Sequence, residues 1–429
     1  MSSAIVVGAT GILGREIVKQ LAQTPEKWKK IYAFSRSKKD EFPSNVVHRH
    51  IDLLSSADAM AKELQGVEAE YVFFAAYLQK DSEEENWQVN GDMLHNFLRA
   101  LELTSAIAQT KRILLVTGAK QYGVHLGQPK NPLRETDPWL TANPPFPPNF
   151  YYRQQDILRA FCAAHRHLAW TVTYPNDVIG FATGNFMNLA TGLGLYAVVS
   201  KELQLAEAGR AGRAGETFEP EPELAFPGSE TFYTRFDTFT SSRLHARFCE
   251  WAVAEPRAAN QAFNVVNGDV QSWQDMWPRL ARRFGMRVPR DQFAGGGGGA
   301  AELASQAELA SHAALNDTPP LSVFAEEAGL VGRVRPSALE QRVSLVKWSQ
   351  RDDVKKAWAR LAEREGLQKD AFEKATWAFI DFVLGRNYDI VSSMSKAREA
   401  GWTGYEDTWK SFSDVFGELE AANVLPKTH

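Results

Sequence analysis

The chain has 429 residues, a formal net charge of −4, and 44% hydrophobic and 23% charged residues. This balance is ordinary for a soluble protein of two or three domains and gives no reason to expect nucleic acid or an anionic membrane as a partner. The two cysteines, Cys162 and Cys249, lie far apart, and the histidines are scattered, so we expect neither a disulfide framework nor a metal site. Without a basic N-terminal segment or an apolar run of ~18 residues, the sequence predicts a cytoplasmic protein with no signal peptide or membrane helix.

Short apolar segments alternate with helix-periodic segments over the first part of the chain. The apolar runs predict strands at residues 4–8, 30–37, 46–54, 69–77, 112–118 and 168–175. The stretches between them, such as "GREIVKQLAQ" and "VNGDMLHNFLRALEL", carry the helical period. This alternation is typical of an α/β protein with a Rossmann-type, doubly wound parallel sheet.

The pattern changes at about residue 180. Residues 1–180 are predicted to form the sheet domain, with a later strand contribution from 230–270, and residues 181–429 to form a smaller, mostly helical region that binds substrate and covers it. Residues 204–223 are predicted to be a surface loop. Residues 294–343 are predicted to be a low-complexity insertion, because they begin with a glycine run and an alanine-rich stretch.

The segment "GATGILG" follows the first strand and opens the first helix. Its glycines, Gly8, Gly11 and Gly14, allow a tight turn, a close approach to a pyrophosphate and close packing of the helix against the strand. The helix N-terminus favours a bound anion. Because both strand and helix are in place, the motif predicts a dinucleotide-binding loop rather than a glycine turn without function.

The end of the second strand indicates which dinucleotide binds. NAD enzymes place an acidic residue there for the ribose 2′-hydroxyl, whereas this chain has "SRSKK", with Ser35, Arg36 and Ser37. A guanidinium can form paired hydrogen bonds with a phosphate, so the segment favours NADP(H) as the cofactor. Asp52, at the end of the third strand, is placed to hydrogen-bond the adenine, although an aspartate there could equally cap a helix.

Two later segments carry candidate catalytic groups. Short-chain dehydrogenases normally have a lysine four residues after the catalytic tyrosine, but "NFYYRQQDIL" places Gln155 and Asp156 at that offset from Tyr151 and Tyr152. The turn "TGAKQYG" instead supplies Lys120 at the carboxyl end of the fifth strand, where open α/β sheets bind their ligands. We predict that Lys120 replaces the missing lysine from the other side of the cleft and stabilises a bound oxyanion.

Five segments resemble the progesterone 5β-reductase/iridoid synthase family, an atypical branch of the extended short-chain dehydrogenases: "TGAKQYG", "FYYRQQDIL", "YPNDVIGFATGNFMNLATGLGLYA", "NQAFNVVNGDVQSWQDMW" and "SSMSKAREAGWTGYEDTWKSF". The resemblance runs from the first strand to the last helix. It implies an NADPH-dependent reductase of activated carbon–carbon double bonds, with a catalytic pair formed by Lys120 and a tyrosine of the Phe-Tyr-Tyr segment. The separation of 32 residues expected of the family favours Tyr152 over Tyr151, and a structure is needed to separate the two.

The resemblance also implies contacts residue by residue. The cofactor is expected to contact Gly8, Thr10, Gly11, Ile12, Gly14, Ser35, Arg36, Ser37, Asp52, Leu53, Ala76, Thr117, Tyr152 and Val178. The substrate pocket is expected to include Tyr122, Met187 and Asn188. The chain departs from the family at "YPND", where Arg-Pro-Gly-Asn is usual, at Ser37, where a second arginine is usual, and in the turn after Lys120. We therefore expect its natural substrate to differ from steroids and iridoid precursors.

The expected reaction is the reduction of a small, apolar enone or enal. Hydride addition at the β-carbon leaves an enolate, which needs hydrogen-bond donors and a nearby cation more than a proton relay. Tyr152 is expected to donate to the enolate oxygen, and Lys120 to supply the positive charge. Three alternatives stay open: a carbonyl reductase, a nucleotide-sugar epimerase-like enzyme, which would need the missing lysine, and a non-catalytic NADP(H)-sensing protein. A homodimer is compatible with the sequence.

Overall fold

The centre of the molecule is a parallel β-sheet. The computed structural model describes residues 2–37, 42–104, 106–141, 146–182, 187–211, 221–293 and 308–427. Its strands are β1 (Ser2–Val7), β2 (Trp28–Ser35), β3 (Val46–His50), β4 (Tyr71–Phe74), β5 (Arg112–Val116), β6 (Ala169–Pro175), β7 (Val178–Ile179), β8 (Thr240–Ser241), β9 (Gln261–Val265), β10 (Ser311–Ala314) and β11 (Ala338–Gln341). Seven of them form one sheet in the order β3-β2-β1-β4-β5-β6-β9, while β7 pairs with β8 and β10 with β11. The strand order reverses between β1 and β4, which is where open sheets of this kind bind ligands.

Helices cover both faces of this sheet and build a second layer beyond it. They are α1 (Gly14–Ala22), α2 (Ala57–Glu63), α3 (Glu83–Leu103), α4 (Phe150–Ala164), α5 (Leu189–Ala211), α6 (Glu230–Thr234), α7 (Ser242–Ala254), α8 (Trp273–Arg283), α9 (Leu345–Gln350), α10 (Asp352–Glu365), α11 (Trp377–Gly385), α12 (Ser395–Glu399) and α13 (Thr408–Ala421). Short 3₁₀ segments lie at Ala106–Gln109, Ala119–Tyr122, Pro256–Ala258, Pro320–Phe324 and Lys369–Ala371.

Alternate residues of β1 face opposite helical layers. Ala4 and Val6 are fully buried in a cluster with α1 and α7, whereas Ile5 and Val7 are buried in a cluster with α2, α3 and α4. Because both faces are covered, the central residues of β1 and β4 are apolar on both sides of the sheet, as a buried parallel sheet requires. The predicted Rossmann-type sheet with a helical C-terminal region is confirmed.

The helices after residue 187, except α7 and α12, which pack on the sheet, enclose a separate core that is rich in aromatic rings. This core includes Trp273, Trp277, Trp348, Trp358, Trp377, Phe412 and Phe416. Helix α5 runs through its middle and continues to Ala211, so the predicted surface loop at 204–223 is wrong for its first eight residues, and residues 212–220 lie outside the described part. None of the helices in the described ranges is long and apolar enough to cross a membrane.

The chain returns to the sheet after it has entered the helical layer. Strand β9, from within 230–270, pairs in parallel with β6, and the short helix α12 packs against β9. Because residues on both sides of position 180 contribute strands to one sheet, the predicted domain boundary at residue 180 stays a prediction. In the predicted insertion at 294–343, residues 294–307 lie outside the described ranges, and the remainder contains the antiparallel pair β10 and β11.

A buried ion cluster joins the sheet to the helical layer. Arg386, which directly follows α11, is 0% exposed, and its Nη2 donates to Asp237 at 2.9 Å and to Asp177, the second residue after β6. The guanidinium also stacks over the ring of Phe232. Burial raises the pKa of Asp237, and the charge of Asp177 adds to this effect while Arg386 opposes it. The buried positive charge of Arg386 and the carboxyl groups of Asp177 and Asp237 therefore compensate one another.

Candidate active site

A cleft of about 410 Å³ opens at the carboxyl ends of the central strands. It lies at the reversal of strand order, where the fold predicts a dinucleotide. Eleven of the expected cofactor residues line it: Gly8, Thr10, Gly11, Ile12, Ser35, Arg36, Ser37, Asp52, Leu53, Ala76 and Thr117. The cleft thus has the residues and the position that a dinucleotide needs.

The glycine loop has no room for larger side chains. Gly8 has φ of +81°, and a Cβ built there would lie 2.6 Å from the carbonyl oxygen of Ala75. Gly14 is not among the described residues that line the cleft; a Cβ at Gly14 would lie 2.2 Å from the carbonyl oxygen of Gly8. Gly14 therefore allows α1 to begin close to β1, which leaves the backbone turn open for a pyrophosphate.

The ribose end of the cleft carries a cation, and the described residues at the end of β2, up to residue 37, include no carboxylate. Arg36 is exposed at the cleft wall, and Ser35 donates a hydrogen bond to the carbonyl oxygen of Ser37 at 2.8 Å, which closes the turn around it. Asp52 accepts a hydrogen bond from the Leu54 amide at 3.1 Å and lies at the cleft wall. This arrangement suits a ribose that carries a 2′-phosphate.

The two adjacent tyrosines at the start of α4 have different surroundings. Tyr151 lines the cleft, whereas Tyr152 is not among its described lining residues. The Tyr152 hydroxyl donates to the carbonyl oxygen of Gln121 at 2.8 Å and accepts from the Leu140 amide at 3.0 Å, and its ring stacks on Trp139. The Tyr152 hydroxyl is therefore engaged with backbone groups outside the described cleft lining, and its contact with the cofactor stays a prediction.

Tyr151 points into the cleft beside the turn that follows β5. A Cβ at Gly118 would lie 3.0 Å from the Tyr151 hydroxyl oxygen, so the ring approaches this backbone closely. Burial raises the pKa of Tyr151, and the charge of Glu83 raises it further. The phenol is therefore protonated near neutral pH and can donate a hydrogen bond to a ligand.

Lys120 lies in the 3₁₀ segment between Gly118 and Gly123, next to the tyrosines but directed to another partner. Its Nζ donates to Glu83 Oε1 at 3.2 Å, and the described cleft lining does not include it. The side-chain amide of Asn149, which caps α4, donates to the Lys120 carbonyl oxygen at 2.7 Å. The turn that carries the lysine is therefore fixed to the helix that carries Tyr151.

The position of the usual lysine is occupied by a buried amide. Gln155, four residues after Tyr151, donates to Gln121 Oε1 at 2.8 Å and accepts from the Tyr174 hydroxyl at 2.7 Å. Asp156, at the same offset from Tyr152, is exposed. An amide carries no titratable proton, so this site offers no proton relay through position 155.

Of the other residues expected to contact a ligand, some line the cleft and some do not. Met187 lines the cleft, as expected for a pocket residue. Tyr122 does not: its hydroxyl donates to Asn264 Oδ1 at 2.6 Å in the core. Asn188 is buried as well, where its amide donates to the Ala182 carbonyl oxygen at 2.8 Å at the start of α5. Val178 packs in a small apolar cluster with Ile12 outside the described cleft lining.

No motif or periodicity in the sequence indicated that some of the residues lining the cleft would lie there. Tyr77, Met93, Phe150 and Gln154 line the cleft, and Glu83 holds the lysine. Glu83 is the first of three successive glutamates, so nothing local distinguishes it from its neighbours. Asn149 is a recognisable helix cap, and this signal fixes the start of α4 directly before the tyrosines. Among the described residues, no group of three or more His, Cys, Asp or Glu side chains is arranged to hold a metal ion.

Comparison with known proteins also indicates a Rossmann fold. A family profile described as a PRISE-like Rossmann-fold domain matches residues 4–315. An uncharacterised protein of Schizosaccharomyces pombe is 39% identical over 99% of this chain and 98% of its own length. An (S)-8-oxocitronellyl enol synthase of Nepeta racemosa is 27% identical, and a 3-oxo-Δ(4,5)-steroid 5β-reductase of Arabidopsis thaliana 26% identical, each over 99% of this chain and 93% of the relative.

Proposed function

The chain belongs to the PRISE-like Rossmann-fold family of NADP(H)-dependent oxidoreductases, and we propose that it reduces the activated carbon–carbon double bond of an enone or enal. The family resemblance read from the sequence is confirmed by the profile match. The names of two relatives, an enol synthase and a 5β-reductase, indicate different substrate scaffolds, and they support a reaction that passes through an enolate.

One observation supports this proposal most directly. The Tyr151 hydroxyl lies in the cleft against the backbone of Gly118, two residues before Lys120 in the chain, and the position of the relay lysine holds the buried Gln155. An alcohol oxidation needs a base and a proton path, whereas an enolate needs a donor and a cation. We therefore assign to Tyr151, in place of Tyr152, the role of the catalytic tyrosine.

The roles of the side chains follow from their chemistry. NADPH, when bound, supplies the hydride. Tyr151, held protonated by burial, donates a hydrogen bond to the carbonyl oxygen of the substrate as negative charge develops there. Lys120 provides positive charge at the same end of the cleft. Met93, Phe150 and Met187 exclude water around the apolar part of the substrate.

The second candidate is a carbonyl reductase, since a hydrogen bond from Tyr151 would also stabilise an alkoxide. An alkoxide must be protonated within the site, and the amide of Gln155 cannot relay that proton. An epimerase-like reaction has the same requirement and is disfavoured for the same reason. A sensor without catalysis would not need Tyr151 at the cleft wall.

A panel of substrates tests the proposal. Purified protein is mixed with NADPH and with matched pairs of cyclic and acyclic enones, enals and saturated ketones, and the loss of NADPH absorbance is recorded. We expect turnover with enones or enals and not with the saturated ketones. Turnover of ketones alone would identify a carbonyl reductase, and binding of NADPH without any turnover would favour the sensor.

Arg36→Ala is expected to weaken the binding of NADPH and to leave the binding of NADH nearly unchanged. The variant loses the charge-assisted hydrogen bonds to the 2′-phosphate, so the KM for NADPH should rise about 10- to 100-fold while that for NADH stays nearly unchanged. Steady-state kinetics with both cofactors measure this ratio. Arg99→Ala is the control, because Arg99 is an exposed arginine on α3 that pairs with Glu102 away from the cleft. Equal losses for the two cofactors would contradict the assignment of Arg36.

A further inference from the structure

Glu83 connects the lysine to the first turn of α3. Its Oε1 accepts the hydrogen bond from Lys120 Nζ at 3.2 Å, and the two side chains are 24% and 25% exposed. Among the described residues, no other carboxylate lies within ion-pair distance of Lys120. The charge of Glu83 also reaches Tyr151, whose pKa it raises after the larger effect of burial. Glu83 therefore lies beside both proposed catalytic side chains.

The backbone that carries Glu83 is held by buried amides. Asn86 Oδ1 accepts from the Lys80 amide at 2.9 Å, and the Asn90 side chain pairs with both backbone groups of Leu78, each at 2.9 Å. Ser82 caps α3 by accepting from the Glu85 amide at 3.1 Å. Side-chain hydrogen bonds therefore join the N-terminal part of α3 to the loop after β4.

The contacts between α3, α4 and the lysine turn form a closed ring. Gln154 donates to the Asn90 carbonyl oxygen at 3.0 Å and joins α4 to α3. Asn149 joins α4 to the Lys120 turn at 2.7 Å, and Glu83 joins that turn back to α3. In this ring, the Glu83–Lys120 contact is the one that involves the lysine ammonium itself. The backbone contacts fix the position of the Lys120 main chain, and Glu83 fixes the position of its ammonium group.

We propose that Glu83 is a positioning residue that holds the Lys120 ammonium beside the Tyr151 hydroxyl. A lysine side chain is flexible and strongly hydrated, so without a partner its charge spreads over many positions. A misplacement of about 1 Å can cost roughly 10²-fold in rate. The catalytic consequence rests on the proposed function, whereas the holding of Lys120 does not.

The test combines kinetics with a chemical probe of the lysine. Glu83→Gln is expected to lower kcat for enone reduction by about 10- to 100-fold, with the KM for NADPH unchanged. Glu83→Asp keeps the charge and should recover part of kcat. The rate at which an N-hydroxysuccinimide ester acylates Lys120, read by peptide mass spectrometry against the exposed Lys62, should rise severalfold in Glu83→Gln, because the amine has lost its carboxylate.

The matched control is Glu84→Gln, which makes the same charge change in the same turn of α3 at an exposed side chain. It should leave both kcat and the acylation of Lys120 unchanged. Equal acylation in Glu83→Gln and the wild type would overturn the inference, as would faster acylation with an unchanged kcat in an active enzyme. If the wild type reduces no enone, faster acylation in Glu83→Gln alone still supports the holding of Lys120, and only the proposed function fails.

Discussion

Tyr151→Phe is expected to lower kcat for enone reduction by about 10² to 10³-fold, the usual cost of one hydrogen-bond donor to a developing oxyanion. The ring of Tyr151 would remain in place against Gly118, so the affinity for NADPH and the thermal stability should stay close to those of the wild type. Stopped-flow measurement of NADPH oxidation, with cofactor binding followed by fluorescence, separates the chemical step from binding.

Tyr152→Phe is the matched control, since it removes the same atom one residue away. The Leu140 amide would lose its buried acceptor, and we expect a cost of about 1–3 kcal/mol in the free energy of unfolding. The rate should change little, because the Tyr152 hydroxyl is engaged with backbone groups outside the cleft. A large loss of rate in Tyr152→Phe together with an active Tyr151→Phe would return the role to Tyr152.

Arg386→Met is expected to lower the free energy of unfolding by about 3–5 kcal/mol, because it leaves two carboxyl groups buried without their cation. Asp177 and Asp237 both contact the Arg386 guanidinium, which is completely buried. Urea unfolding followed by tryptophan fluorescence measures the loss. If the variant does not accumulate, the double variant Arg386→Met/Asp177→Asn should recover folded protein, since it removes one of the uncompensated charges.

Arg279→Met provides the comparison on the surface. Arg279 is 40% exposed and pairs with Asp275 at 3.1 Å within α8. Exposed pairs of this kind contribute about 0–1 kcal/mol, so the change should be small. Similar unfolding curves for Arg386→Met and Arg279→Met would contradict the structural importance of the buried cluster.

The sheet could be predicted from the sequence because its signals are local. A buried parallel strand is a short apolar run, and a covering helix repeats its apolar residues every three or four positions. The end of α5 was missed for a physical reason. Its last residues, "QLAEAGRA", mix charged residues with alanine and glycine, and the packing of the preceding turns into the aromatic core decides that the helix continues.

The cleft could be predicted only in part. The predicted residues of the glycine loop, apart from Gly14, and of the end of β2 line the cleft, because backbone geometry at a strand end is set within a few residues. Which of the two adjacent tyrosines lines the cleft was beyond the sequence, because adjacent residues on a helix point about 100° apart and the rotation of α4 decides which one faces the cleft. That rotation depends on contacts distant in sequence, such as the stacking of Trp139 on Tyr152 and the hydrogen bond from Gln154 to the Asn90 carbonyl oxygen.

The position of β9 has a consequence for the modularity of the chain. A fragment that ends at residue 180 would lack this strand, and β6 would lose its pairing along Thr171–Pro175. The exposed amides and carbonyls of such an edge invite association with other chains, so the fragment should aggregate rather than bind nucleotide. Chimeras between relatives therefore need a junction that keeps β6 and β9 from the same parent.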